Sequence, residues 1–208
     1  MKLYFTKTPR IIQRVFKNYT WRFFTDKKEI YLTFDDGPTP EITDWTLDLL
    51  HKYNAKATFF CIGKNVLNEP KIYRRILKEN HQIGNHTHHH KNGAKTDLKA
   101  YINNILDAEK HLENPFRLFR PPYGRIKRTQ AKKLRSLGYR IIMWDVLSAD
   151  FDTTITKEKC LKNVLEHVEN GSIIVFHDSI KASKNLYYSL PKVLEYFSEK
   201  GYTFNAIS

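Results

Sequence analysis

The sequence predicts a single-domain α/β fold, TIM-like, with a parallel sheet closing towards a barrel and helices on its outer side. First, short β-branched and aromatic runs alternate with stretches of helical period along 208 residues, the pattern of repeated βα units in a chain sized for one core. Second, hydrophobic residues make up 41% and aromatics 13% of the chain, enough apolar surface for a core and too much for a disordered polymer. Third, unusual polar residues fall just after the runs ending at Phe34, Gly84, Phe119, Trp144 and Phe176. That is the carboxyl rim on which barrel enzymes gather groups from many strands, and it favours a barrel over an open sheet.

Taken in order, Thr8 and Pro9 form an N-cap and first helical position for a short amphipathic helix, with Ile11, Ile12, Val15, Phe16 and Tyr19 on one face. This helix and its lead-in, residues 1–27, are expected to pack on the domain formed by 28–208, and the basic face allows weak contact with a membrane surface. Strands are expected near Glu29 to Phe34, Ala57 to Cys61, Gln82 to Gly84, Arg117 to Phe119, Arg140 to Trp144, Ser172 to Phe176 and Tyr202 to Phe204. Helices follow most of them, the clearest from Pro40 to Tyr53 behind Thr39, Asp97 to Leu112 behind Thr96, and Lys157 to Glu169 behind Thr156 and before Asn170 and Gly171.

The net charge of +13, from 35 Lys and Arg against 22 Asp and Glu, gives a salt-screened attraction for polyanions. The basic residues are spread along the chain, without zinc-finger spacing, homeodomain pattern or aromatic RNA-binding strand motif, so the charge reads as a solvated surface and no specific nucleic acid is expected. Cys61 and Cys160 sit in apolar runs and read as core thiols, with no spacing for a disulfide framework or a cysteine zinc site. Between Met1 and Phe24, Lys7, Arg10, Arg14 and Lys17 interrupt any apolar run of signal-peptide length, and no stretch is long enough to span a bilayer. A cytoplasmic location is the default expectation, replaced by envelope association if a leader lies upstream.

Five segments carry the chemistry. Asp35 and Asp36 end the first strand before a Gly-Pro turn, where adjacent acids can divide labour, one binding a cation and the other taking a proton. Read alone, they also suit an acidic turn that caps a strand. Four of the nine histidines lie at 86 and 88–90. His86 and His90 stand in an i, i+4 relation, which on a helical turn aims two imidazoles at one zinc-like ion. Around Arg120, Pro121, Pro122, Tyr123 and Gly124 the two prolines fix an extended backbone, a rigid turn able to present an N–H to an oxyanion while Arg120 holds a carboxylate. Trp144 to Asp152 brings three aspartates after a strand, and His177 follows the apolar run ending at Phe176.

These segments, in this order, resemble the motifs of the polysaccharide deacetylase family, carbohydrate esterase family four with its NodB-homology domain, from about residue 28 to the C-terminus. The resemblance implies a distorted, incomplete (β/α) barrel of seven or so strands, with 28–208 the catalytic domain. It also implies a metal triad of Asp36, His86 and His90, usually holding zinc or a similar divalent ion, one per chain. By the same resemblance Asp35 is the catalytic base and His177 the catalytic acid. Arg120 orients the base, the Tyr123 N–H meets the oxyanion and Asp150 pairs with His177. Leu147 stands in place of a frequent Asp and Phe151 in place of a frequent Trp, departures that touch the substrate groove, where Tyr123, Trp144 and Phe151 are the stacking candidates.

The implied reaction is removal of N-acetyl groups from N-acetylglucosamine units of a peptidoglycan or chito-oligosaccharide type of polymer. The same centre would attack a small non-sugar amide or ester, because the fold does not choose the substrate. A basic polymer-binding protein with a vestigial site is the non-enzymatic reading, and it does not require acids, histidines and arginine together.

Overall fold

The central strands read as almost unbroken apolar runs because both of their faces are covered. In the computed structural model, which describes residues 4–208 and leaves the first three residues of the expected lead-in outside the described residues, these runs become β1 (Glu29–Asp35), β2 (Ala57–Cys61), β3 (Gln82–Asn85), β4 (Leu118–Phe119), β5 (Arg140–Ile141), β6 (Val146–Leu147), β7 (Ile173–His177) and β8 (Thr203–Phe204). The sheet order is β5-β4-β3-β2-β1-β7-β6, with β8 added beside β1. Every strand pair is parallel.

Alternation of side chains decides which residues reach the site. On β1, Ile30, Leu32 and Phe34 join the main apolar cluster beneath the helices, so Thr33 and Asp35, one residue out of phase, face the other way, into the barrel. The neighbouring β7 repeats this: Ile174 and Phe176 belong to the same cluster, which leaves His177 on the side of Asp35, its register partner.

The helices are α1 (Arg10–Val15), α2 (Ile42–Lys52), α3 (Gly63–Asn68), α4 (Pro70–Lys78), α5 (Leu98–Glu109), α6 (Arg128–Ser136), α7 (Lys157–Leu165) and α8 (Ser183–Glu199). Thr156 caps α7 as expected, its hydroxyl accepting from the Lys159 N–H at 3.1 Å. The cap of α5 is Asp97 rather than Thr96, its carboxylate accepting from the Ala100 N–H. The expected helix from Pro40 begins at Ile42, because the Thr39 N–H is turned onto the Thr43 hydroxyl. α7 stops at Leu165 rather than Glu169, and the His167 carbonyl beyond it takes the Lys7 ammonium.

One strand and the face of α1 also depart from expectation. The strand expected from Arg140 to Trp144 ends at Ile141, and Val146–Leu147 forms a separate strand. Between them the Met143 N–H goes to Thr20, and the Ile142 and Met143 carbonyls accept from Arg120, so the ladder is diverted into the barrel. In α1 the expected apolar face is split: Ile12 and Tyr19 pack on a core cluster, whereas Ile11 and Val15 are exposed.

The N-terminal segment has a larger part in the fold than its short helix suggests. Lys7 bridges antiparallel to Val146 on β6, and Thr20 bridges to Ile142 beside β5. The segment thus contacts both end strands of the incomplete barrel. Cys61 and Cys160 are both free and buried.

Candidate active site

Asp35 and Asp36 leave the end of β1 in different directions because Asp36 adopts a left-handed backbone, φ 82°. The turn after them is tied down from β7. Asp178 accepts from the Gly37 N–H at 3.0 Å and from the Thr43 hydroxyl at 2.5 Å. A side chain at Gly37 would collide with the Asp178 carboxylate, which explains the glycine. Burial, with the Asp36 charge adding to it against the hydrogen bonds, pushes the Asp178 carboxyl up to about 8.

Arg120 is completely buried, with its guanidinium 4.1 Å from the centre of the Phe60 ring. It donates to Asp35 Oδ1 at 2.7 Å, to the Thr33 hydroxyl at 2.6 Å and to the Met143 carbonyl at 2.9 Å. Burial alone would raise the Asp35 carboxyl. The Arg120 charge, with His86, His177 and the Arg120 hydrogen bond, overcomes that and holds it below the usual range. Asp35 is therefore an ionised carboxylate with one oxygen fixed by arginine. Its other oxygen, Oδ2, lies 4.0 Å from His86 Nε2 and faces the site.

His86 and His90 do meet, with ring centroids 5.1 Å apart, but on a loop rather than the helical turn their spacing suggested. Left-handed residues at Thr87 and His90 break the helical path. The loop is instead clamped by Asn104 of α5, whose side-chain oxygen accepts from the His88 and His89 N–H groups. His89 turns away to Asn104, and His88 lies against Gly63 and His111. His86 Nδ1 is 2.8 Å from the Arg120 carbonyl, so Nδ1 bears the proton and Nε2 offers its lone pair. Burial, against the pull of Asp35, lowers the His86 pKa to about 4, which keeps the ring neutral.

Between the imidazoles stands Asp36 Oδ1, 3.7 Å from His86 Nε2 and 3.2 Å from His90 Nε2. That oxygen is buried without a hydrogen-bond partner among the described residues. The ligand atoms of Asp36, His86 and His90 lie within 4.8 Å of one another. An orphaned carboxylate oxygen facing two imidazole nitrogens, one of them left with its lone pair by the Nδ1 hydrogen bond, fits a divalent cation.

On the opposite wall His177 Nδ1 donates to Asp150 Oδ1 at 2.7 Å, and the His177 N–H donates to Asp150 Oδ2, also at 2.7 Å. The other candidate acids are engaged elsewhere: Asp145 accepts from Lys7, Ser172 and the Ile173 N–H, and Asp152 from Tyr4 and Thr154. A pocket of about 710 Å³ joins these walls, lined by Tyr123, Trp144, Leu147 and Phe151 among others. Tyr123 has a left-handed backbone, φ 61°, and its exposed ring stands 4.6 Å from that of His90. Phe151 packs edge-on against His177 at 5.1 Å.

Thr33, Asp178 and Tyr4 belong to the site without having been singled out from sequence. Tyr4 lines the pocket, packs edge-on against Phe151 and donates its hydroxyl to Asp152 at 2.9 Å. Period-two alternation on β1 could have found Thr33. No local signal points to Tyr4, whose partners lie far along the chain.

Comparison with known proteins places this geometry among relatives. A family model described as polysaccharide deacetylase matches residues 24–142. A peptidoglycan-N-acetylglucosamine deacetylase of Bacillus cereus is 35% identical over 193 residues, 91% of each chain. A chitooligosaccharide deacetylase of Azorhizobium caulinodans is 33% identical over 162 residues, 76% of this chain and 77% of its own. The crystal structure of a peptidoglycan N-acetylglucosamine deacetylase in complex with 4-naphthalen-1-yl-N-oxidanyl-benzamide superposes with a TM-score of 0.87 at 34% identity, covering 96% of this chain and 95% of that one.

Proposed function

The chain belongs to the polysaccharide deacetylase family, and from that premise we propose that it is a metal-dependent hydrolase removing N-acetyl groups from N-acetylglucosamine units of a peptidoglycan- or chito-oligosaccharide-type glycan. The observation that supports this most is the arrangement of two polarised pairs around one orphaned oxygen: Asp35 with Arg120, and His177 with Asp150, flank Asp36 Oδ1 and its two imidazoles. The deacetylases of Bacillus cereus and Azorhizobium caulinodans support the substrate class.

Asp36, His86 and His90 would hold the ion, with zinc the expected metal. A bound divalent cation would supply Lewis acidity, lowering the pKa of a nearby water and polarising the acetamide carbonyl. Asp35 accepts the water's proton on Oδ2, since Arg120 occupies Oδ1 and keeps the carboxylate ionised, while the water oxygen adds to the acetamide carbon and the carbonyl π pair moves onto its oxygen. The Tyr123 N–H, on the rigid turn after Pro121 and Pro122, serves the developing oxyanion. His177 donates a proton from Nε2 to the leaving nitrogen, because an amine departs poorly until protonated, and the carbon–nitrogen bond breaks to give acetate and a free amino sugar. Trp144, Tyr123 and Phe151 supply apolar walls for the pyranose, and Leu147 makes the wall beside them apolar where an acid is frequent in the family.

The test is acetate release from N-acetylated chito-oligosaccharides and peptidoglycan fragments, with small amides as controls, alongside metal analysis. Asp35→Asn and His177→Ala are expected to lower turnover by roughly 10² to 10⁴ with metal retained. His86→Ala or His90→Ala is expected to remove most of the metal. Full metal content in both histidine variants refutes the triad, and release from the small amides alone refutes the substrate class.

A further inference from the structure

The family match begins at residue 24, yet the segment before it builds a second wall beside the catalytic pocket. A further cavity of about 360 Å³ adjoins that pocket, within the size range of small-ligand clefts. Tyr4, Tyr123, Trp144 and Leu147 line both, so the second cavity borders the first along these side chains. The outer wall of the extension comes from Phe5, Ile12, Phe16 and Trp21. It is a fixed wall: Phe16 stacks on Tyr19 at 5.7 Å, and the Trp21 indole N–H donates to the Phe16 carbonyl at 3.1 Å.

The lining narrows the chemistry of the occupant. Arg125 is the one charged side chain on it among the described residues, too little for a polyanion, and the remainder is mostly aromatic and aliphatic. A neutral pyranose, with C–H faces for aromatic rings and hydroxyls at its rim, matches such a surface. Because Tyr123 and Trp144 face both cavities, a glycan whose acetylated residue sits between Asp35 and His177 and crosses Tyr123 enters the extension with its next residue.

We infer that the extension is a binding subsite for the sugar adjoining the one deacetylated, so that the N-terminal segment selects substrates by chain length. This rests on the deacetylase reading above. The reading concerns the reaction, whereas the subsite concerns how the rate depends on length.

The experiment measures kcat/KM for acetate release from N-acetylglucosamine oligomers, from the dimer to the hexamer. In the wild type kcat/KM should rise with length and then level off. Phe16→Ala should lower the hexamer-to-dimer ratio about fivefold, the order expected for losing one aromatic contact, while Phe16→Trp should preserve it. Phe5→Ala provides a second variant at a largely exposed position, where folding is not at stake, and should lower the ratio in the same direction. Wild-type ratios in both alanine variants overturn the subsite and leave the deacetylase reading standing. Absence of acetate release from every oligomer by the wild type overturns both. Co-sedimentation of the wild type with phosphatidylglycerol vesicles, lost in Phe16→Ala with the length ratio unchanged, assigns the wall to a membrane and also overturns the subsite.

Discussion

A buried imidazole sheds its proton unless a fixed anion stands beside it, and Asp150 is that anion for His177. Burial works to deprotonate the ring. The charge and hydrogen bond of Asp150, with lesser help from Asp36 and Asp35, outweigh it and raise the pKa to about 9. The proposed acid step needs the protonated ring, so its contribution is complete below that pKa and is lost as pH rises through it. Asp150→Asn removes the largest raising influence, and the alkaline limb of the kcat profile should move down by about 1–3 pH units. A pH–rate series on both enzymes checks this, and coincident alkaline limbs would remove Asp150 from its positioning role. Residues of this kind were legible where their partners are close in sequence or match a motif: Asp35 with Asp36, His86 with His90, Arg120 in its proline turn. Tyr4 was not, because what gives it a place is a contact with distant Asp152, and alternation marks Thr33 only as in phase with Asp35, its contact with Arg120 coming from the fold.

At the scale of elements, the long apolar strands β1, β2 and β7 were readable because burial on both faces demands unbroken runs. β6 has only two residues and owes its pairing to neighbours on both sides, so its sequence gives no run to read. The loop from His86 to His90 is the instructive case. Its histidines were found by spacing, but the shape that brings them together comes from another element. Asn104 holds two successive N–H groups of the loop with its side-chain oxygen, and its backbone carbonyl takes the His88 N–H. Asn104→Ala should keep α5, where alanine is the better helix former, yet loosen the loop. Loss of such an outer support typically weakens metal affinity by about 10–100-fold. Titration of zinc into the variant against a competing chelator, with far-ultraviolet circular dichroism as the folding control, measures the effect. Wild-type affinity would show that the loop holds its shape without the clamp.

For the whole molecule, the question left by an incomplete barrel is what covers its open edge, and the N-terminal segment is part of the answer. It reaches β6 through Leu147 N–H to the Thr6 carbonyl and the far side through Thr20 N–H to the Ile141 carbonyl. Its charged anchor is Lys7, which pairs at 3.0 Å with Asp145, a side chain with no exposure, while remaining 26% exposed itself. Burial raises the Asp145 carboxyl above its ordinary value, against the opposing pull of Lys7 and the Ser172 hydroxyl. Lys7→Met would retain length and an apolar stem but strand a buried carboxylate, at a cost of roughly 2–3 kcal/mol, discounted from the about 3–5 of a fully buried pair because Lys7 touches water. An acid with a raised folded pKa binds its proton more tightly folded than unfolded. Stability therefore falls as pH climbs from the unfolded value towards the folded one. Removing Lys7 lifts the folded value further and widens that window, so the variant's deficit in urea unfolding should be larger at pH 8 than at pH 5, where Asp145 can take a proton. No deficit at either pH would mean that the segment is held by its backbone ladder and apolar contacts alone, with the ion pair contributing nothing.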